Sequence, residues 1–451
     1  MTKLRSVKSN GLKIGTKLAA ISIAISLFAV STVAILSGVS SNEALRHEAF
    51  ERLTAVRELK AQQIESYFSQ VRDEMTFASE SGSLKDLLQQ LRRGLVDIRS
   101  HSYIEALDTR QQLTQYYLEQ FLPLYEASVG AKADEAFIDL LVPQDPLTVF
   151  LQDRYISNPR ALNDVQFDGF FGSAFSDVDQ YMSEFRKRFG FYDAFLVEPQ
   201  DGRIVYSVER EIDFGTSLFN GPFSDTNLAS AVTLAMSASQ GEVIFADFEP
   251  YIPSFSAPAA FAAMPVYEGP TIIGVLAVQL PLSGINVIMT SNEAWSDVGL
   301  GQSGETYLVG SDLLLRNQSR FLIEDRERYF EMVADVGLAP SIIDQIERTN
   351  SSIGLQEVNT AGTRAALEGR TGTEIFPDYR DVEVLSSYRP LDLPGLDWVI
   401  MSEIDRDEAL RDADKLIDRL IMVASIVLAI AIYASYLFSI SLTRPLRLLS
   451  G

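Results

Sequence analysis

The chain has no cysteine among its 451 residues. That excludes disulfides, thiolate-bound zinc, iron–sulfur clusters and thiol nucleophiles. Histidine is nearly absent too. His47 and His101 each lack the partner four residues away that a helical metal pair requires, so both read as surface side chains. Tryptophan occurs only at Trp295 and Trp398. No Gly-x-x-x-x-Gly-Lys-Ser/Thr loop is present, so no phosphate-cradling site is expected. No cofactor, metal or catalytic residue is expected from these absences. Positive charge is also scarce, with 38 Lys and Arg against 61 Asp and Glu and a net charge of −23. A surface this acidic repels phosphate backbones, which argues against a nucleic-acid partner.

What the chain does have is two long stretches without charge. Leu18–Asn42 is 25 residues and Leu420–Thr443 is 24. At about 1.5 Å per residue, either covers the ~30 Å hydrocarbon core of a bilayer as a helix. Only a helix satisfies its own backbone there, so residues 18–42 and 420–443 are read as transmembrane helices. Lys3, Arg5, Lys8, Lys13 and Lys17 precede the first, and Arg444 and Arg447 follow the second, with no acid in either flank. Positive flanks stay cytoplasmic, which puts both termini inside and residues 43–419 outside. The rival for the first run is a cleaved signal peptide. Its apolar core would be about 7–15 residues, shorter than this one, and a small-x-small cleavage site is lacking.

Between the spans the pattern changes twice. From Ser41 to Ser79 apolar residues recur three or four apart, at Leu45, Ala49, Leu53, Val56, Ile64, Phe68, Val71 and Met75, with Arg57, Lys60 and Glu65 among the charges between them. This predicts an amphipathic stalk helix continuing from the first span. Residues 84–190 keep a helical pattern, broken near Gly130, Pro143–Pro146 and Pro159. From Gly190 the period becomes that of strands. A hairpin at 195–207, a helix at Asn227–Ser237 and strands at Glu242–Phe248, Ala259–Val266 and Ile272–Leu280 are expected. The order then recurs. A hairpin of Glu305–Val309 with Leu313–Asn317 is followed by helices within 324–348 and 360–368. Strands are expected again at Glu374–Tyr379, Val384–Tyr388 and Trp398–Glu403. The copies match in sequence as well: Phe195-Leu196-Val197 answers Tyr307-Leu308-Val309, Ile244–Phe248 answers Ile375–Tyr379, and Pro265 answers Pro390. The reading is an α+β chain with a duplicated unit built on an antiparallel sheet.

Glu51–Glu65 (ERLTAVRELKAQQIE) and Gly301–Gly310 (GQSGETYLVG) resemble the front ends of receptor-type class III adenylate and guanylate cyclases and of methyl-accepting chemotaxis proteins. Ser441–Leu449 (SLTRPLRLL) resembles the opening of a HAMP domain around Pro445. The whole plan resembles the double Cache sensor region of a bacterial transmembrane receptor. That resemblance implies a cytoplasmic N-terminus at 1–17, a first span at 18–42, and a stalk, helical region and membrane-distal PAS-like module over 43–290. It further implies a membrane-proximal module and exit helix over 291–415, a second span at 420–443 and the start of HAMP at 444–451. It implies the bacterial inner membrane, a parallel homodimer, and a cyclase, chemotaxis or kinase output beyond Gly451, with the lipid bilayer and a small molecule as partners.

Two motifs dissolve on inspection. Gly299-x-Gly301-x-x-Gly304 fits the dinucleotide pattern, but a strand follows where that fingerprint needs a helix, so it reads as a turn between the modules. Asp407, Glu408, Asp412 and Asp414 alternate with Arg406, Arg411 and Lys415, which is a solvated helical face. In Cache modules the ligand lies over the sheet. That analogy points to Tyr206, Asp213, Asp247, Tyr251, Ser254 and Phe261 in the first copy and to Tyr307, Arg316, Ser319 and Asp378 in the second. A carboxylate among aromatic walls suits a cationic or amine-bearing ligand. The amino-acid signature of the family, with its Trp-Tyr pair, is not found here. The function expected is a transmembrane receptor for a small external ligand, the distal copy being the preferred site. The alternatives are a tethered external enzyme, for which no nucleophile–base pair is visible, and a ligand-free structural membrane protein.

Overall fold

A computed structural model describes residues 14–101, 106–157 and 169–448. The basic segment up to Lys13, the expected break near Pro159 and the last residues of the HAMP-like stretch, Leu449–Gly451, lie outside the described residues, as does the side chain of His101. The chain divides into two compact units. One comprises residues 1–52 with 405–451, and the other is Leu53–Ile404.

The first unit is helical. It holds the start of the Ile14–Glu80 helix and the whole Arg411–Leu448 helix, both long and apolar enough to cross a membrane. Their apolar side chains face outward: Phe28 is 75% exposed and Tyr433 64%. The two helices come together at Gly38, where a Cβ would sit 3.9 Å from Ile417. Chains that expose this much continuous apolar surface need a non-aqueous neighbour.

The second unit is α+β with two antiparallel sheets. Strands β1 (Asp193–Val197), β2 (Ile204–Ser207), β3 (Ile244–Tyr251), β4 (Ala257–Glu268) and β5 (Thr271–Gln279) form the first, in the order β2-β1-β5-β4-β3. Strands β6 (Glu305–Val309), β7 (Gly372–Pro377), β8 (Glu383–Pro390) and β9 (Val399–Asp405) form the second, in the order β6-β9-β8-β7. The two orders correspond strand for strand, except that the second has no counterpart of β2. The expected strand Leu313–Asn317 is instead two single bridges, Val309 to Leu315 and Leu314 to Glu357. Leu313 there has φ of 66°, and the Arg316 and Asn317 side chains bond to groups elsewhere, so regular pairing stops.

Strand alternation gives each sheet two buried faces with different neighbours. On the first sheet, Asp193, Gln279 and Phe261 lie in one row, and Phe195, Ala277 and Ala263 in the next, all on one face. The other face carries Leu196, Leu276 and Met264. It packs on the Gly82–His101 and Gly169–Phe189 helices. Those helices cross at Gly94, where a Cβ would meet the Phe171 Cα at 2.6 Å, so only glycine permits the approach.

The expected stalk stretch is helical to Glu80, with Ile64, Phe68, Val71 and Met75 buried. Arg57 and Lys60, read as surface charges from sequence, are buried as well. Arg57 donates to Ser387 Oγ and to the Tyr388 carbonyl, both at 3.0 Å. Lys60 donates to Ile288 O and Ser291 Oγ at the C-terminus of the Leu282–Thr290 helix, the end where a cation is favoured. Phe68 meets Trp398, whose ring stacks on Phe248 of β3 at 5.9 Å and 15°.

Candidate functional site

The inner face of the first sheet collects carboxylates. Asp193 opens β1 and is fully buried. It accepts from Ser207 Oγ at 2.7 Å and from the backbone N–H groups of Val208 and Glu209 at 2.9 and 3.1 Å. Asp213 is also fully buried and accepts from the Tyr251 hydroxyl, while its Oδ1 has no partner among the described residues. Glu211 accepts from Ser254 Oγ at 2.6 Å and from the Tyr192 hydroxyl at 3.0 Å. Gln279, beside Asp193 in the register, holds a buried Oε1 that likewise lacks a donor.

Aromatic rings close around these groups. Tyr251 meets Phe261 at 4.9 Å, and Phe261 meets Phe195 at 6.2 Å. Tyr117, on the π-helical turn Tyr117–Phe121, donates to Gln152 Oε1 at 2.8 Å and lies near enough to Asp213 to feel its charge. Such turns often mark functional positions.

The electrostatics follow from burial without countercharge. Burial raises the Asp193 carboxyl to about 7, against the hydrogen bonds it accepts. Burial, and next the neighbouring Glu211, hold Asp213 well above the ordinary carboxylate range. Glu211 is raised by burial too. Among the described residues no lysine or arginine forms an ion pair with any of the three, and the neighbouring Arg186 and Arg210 pair with Glu209 and Asp179 instead. Three carboxylates so placed can stay ionised together only if a cation joins them.

Of the first-copy residues picked from sequence, Asp213, Tyr251, Ser254 and Phe261 therefore come together. Tyr206 does not. It lies opposite Leu196, on the outer face, and donates to Asp179 of the Gly169–Phe189 helix at 2.9 Å. Asp247 also points elsewhere: its two oxygens accept from Arg316 Nε and Nη2 at 2.8 and 2.9 Å. Two residues assigned to separate pockets thus form one bidentate pair.

The remaining second-copy residues meet on the second sheet. Tyr307 donates to Glu403 at 2.7 Å, Ser319 Oγ and Tyr379 Oη are 2.9 Å apart, and Asp378 pairs with Arg380 at 2.6 Å. Sequence reasoning missed Asp193, Glu211, Glu305 and Glu403. A signal existed, because each acid of the strands β1, β6 and β9 shares the parity of a core residue two places away. A cleft of about 580 Å³ lies elsewhere, lined in part by Val142, Asp145, Thr148, Arg203 and Ser217. None of the ten predicted residues lines it.

No family model matches the chain, and no curated protein matches it. Solved structures similar to it include the ligand-binding domain of the Pseudomonas fluorescens chemoreceptor CtaA with L-alanine, at 12% identity and TM-score 0.33, covering 66% of this chain and 99% of that one. The sensor domain of the V. cholerae histidine kinase DctB is 14% identical, with TM-score 0.32, covering 66% and 98%. The ligand-binding domain of the Pseudomonas aeruginosa chemoreceptor PctB with L-Arg is 14% identical, with TM-score 0.32, covering 66% and 97%. All three are sensor or ligand-binding domains of chemoreceptors or histidine kinases, the kind of protein the sequence resembles.

Proposed function

We propose that the chain is the sensory part of a two-pass membrane receptor and that its ligand is a small organic cation, an amine above all. The observation that carries this reading is the convergence of Asp193, Glu211 and Asp213 over one sheet face with no ion-pair partner among the described residues. A buried ammonium needs countercharge, and aromatic rings such as Tyr251 and Phe261 supply further attraction. On this reading, the two sheets belong to tandem Cache-like modules on a stalk formed by the first helix. Both termini are cytoplasmic, the sheets lie outside the cell, and two copies associate in parallel. The signal passes through a HAMP-type connection to a cyclase or chemotaxis output. No catalysis is assigned to this chain. A ligand drives such a change only by its different affinity for two states.

The test is a thermal-shift screen of the full chain in detergent against amines, amino acids and carboxylates. A ligand at about a hundred times its dissociation constant adds roughly 2.7 kcal/mol. An amine shift lost in Asp213→Asn supports the reading. A screen in which only carboxylates shift the melt sinks it.

A further inference from the structure

The second sheet carries a separate set of buried acids. Glu305 and Glu403 face each other across β6 and β9 as direct partners in the register. They are 4% and 3% exposed, and Asp378, just past β7, is 7% exposed. Like-charged residues directly opposite in a sheet repel. Glu305 accepts from the Arg320 backbone N–H at 2.6 Å and from the Tyr379 hydroxyl at 2.7 Å. Glu403 accepts from Tyr307 through Oε2, while among the described residues its Oε1 has no well-aligned donor and the fully buried Ser386 Oγ lies beside it.

The charged groups that face this cluster can be named element by element. The turn after β7 supplies Asp378 and Arg380. The Arg380 guanidinium pairs with Asp378 and lies 4.0 Å from the centre of the Phe321 ring. The Arg320–Glu324 helix brings Arg320, whose own guanidinium is engaged by Glu324 and by the Gly304 carbonyl. The Arg326–Asp335 helix contributes the Tyr329 phenol, whose ionisation burial opposes first and the Glu305 charge next. Tyr307 and Tyr379 complete the set. Three carboxylates thus share one inward guanidinium, and the cleft described above does not reach them.

A carboxylate can only accept hydrogen bonds, whereas a protonated carboxyl also donates. A proton on either Glu403 or Glu305 ends the repulsion between these register partners, while the Ser386 hydroxyl can serve Glu403 Oε1 in either state. We propose that Glu403 and Glu305 form a proton-binding site, through which the second sheet reads external acidity as an input separate from the ligand. Burial raises Glu305 to about 7 and, with Asp378 adding repulsion, Glu403 to about 8. The site stands on its own geometry. Only its use as an input rests on the sensory reading, β9 being the last strand before the Arg411–Leu448 helix in chain order.

The full chain in detergent tests this by infrared difference spectroscopy of the protonated carboxyl stretch over about pH 5.5 to 9. The wild-type protein is expected to show a protonated band near neutrality that disappears by about pH 9 and is reduced in Glu403→Gln. Its melting temperature is expected to fall over the same range, with a shallower slope in the variant. Glu305→Gln provides the same comparison should Glu403→Gln not melt cooperatively. A band and slope identical to wild type in the folded variant overturn the proposal. An amine-induced melting shift retained in Glu403→Gln shows the ligand site intact, so the two readings fail separately.

Discussion

The bidentate pair between Asp247 and Arg316 gives the sharpest test of how the two sheets depend on each other. Asp247 sits in β3, at the irregularity between Ala246 and Glu249, and Arg316 follows β6. The Arg316 side chain is 2% exposed and also donates to the Leu314 carbonyl at 3.0 Å and to Asp312 at 2.8 Å. It lies against Gly310, where any Cβ would come 2.1 Å from Nη2, so Gly310 keeps the space it occupies. Arg316→Met retains the bulk and removes the donors. Truncating one partner of a buried charged pair costs about 3–5 kcal/mol. The Asp247 side chain is 28% exposed and recovers some hydration, which lowers the expectation to about 2–3 kcal/mol.

Unfolding entropy of about 2.1 cal/mol/K per residue gives the roughly 350 residues of Leu53–Ile404 about 0.7 kcal/mol/K. The melting temperature should therefore drop by about 3–4 °C. Asp247→Asn should cost about as much, because it leaves a buried guanidinium with Asp312 as its remaining carboxylate. The double variant should cost scarcely more than either single one, for a coupling energy of about 2 kcal/mol. Scanning calorimetry of the four proteins in one detergent measures it. Additivity to within about 0.5 kcal/mol would show that the pair does not join the two sheets energetically.

Three further outcomes follow from the same packing. Trp398→Ala empties the space between Phe68 and Phe248 and should cost about 3–5 kcal/mol, measured as a loss of about 4–7 °C in melting temperature. Gly94→Val forces two helices apart at a backbone contact and should cost at least about 2 kcal/mol in the same assay, whereas a neutral result would refute the close crossing. The ligand-free protein should lose stability as pH rises from about 4 through about 7, since the folded value of Asp193 lies above its unfolded value, the native state holds more protons in that window, and Asp213, raised in the same direction, adds to the loss. Amine affinity should rise over the upper part of the window, as those carboxyls ionise. Calorimetric titration at three pH values checks the sign.

The sequence was informative where periodicity speaks and silent where side chains choose partners. The uninterrupted helix through Glu80, the α+β character and all nine strands follow from the sequence pattern, and one expected strand of ten does not form. The expected strand at Leu313–Asn317 failed because Leu313 adopts a left-handed conformation that its apolar side chain does not advertise. Four of the six first-copy candidates meet on one face, and Tyr206 is on the other because Ser207, not Tyr206, shares the parity of Phe195. From sequence, Asp247 and Arg316 each read as pocket residues. Nothing local to either tells that they lie within reach of each other across 69 positions. The acids of β1, β6 and β9 are hard to single out from sequence because a charged residue at a strand end ordinarily marks a turn, while here they are buried.

The stacking of Trp398 on Phe248 and Phe68 has a practical consequence. With tryptophan confined to two positions, Trp295→Phe leaves a chain whose sole indole sits where the first helix and strands from both sheets come together. Its emission becomes an intrinsic gauge of that junction, readable in a bilayer without attaching a dye. Because no cysteine competes for reagent, a quencher or spin probe introduced through one engineered thiol could then measure how far that junction moves when either input changes.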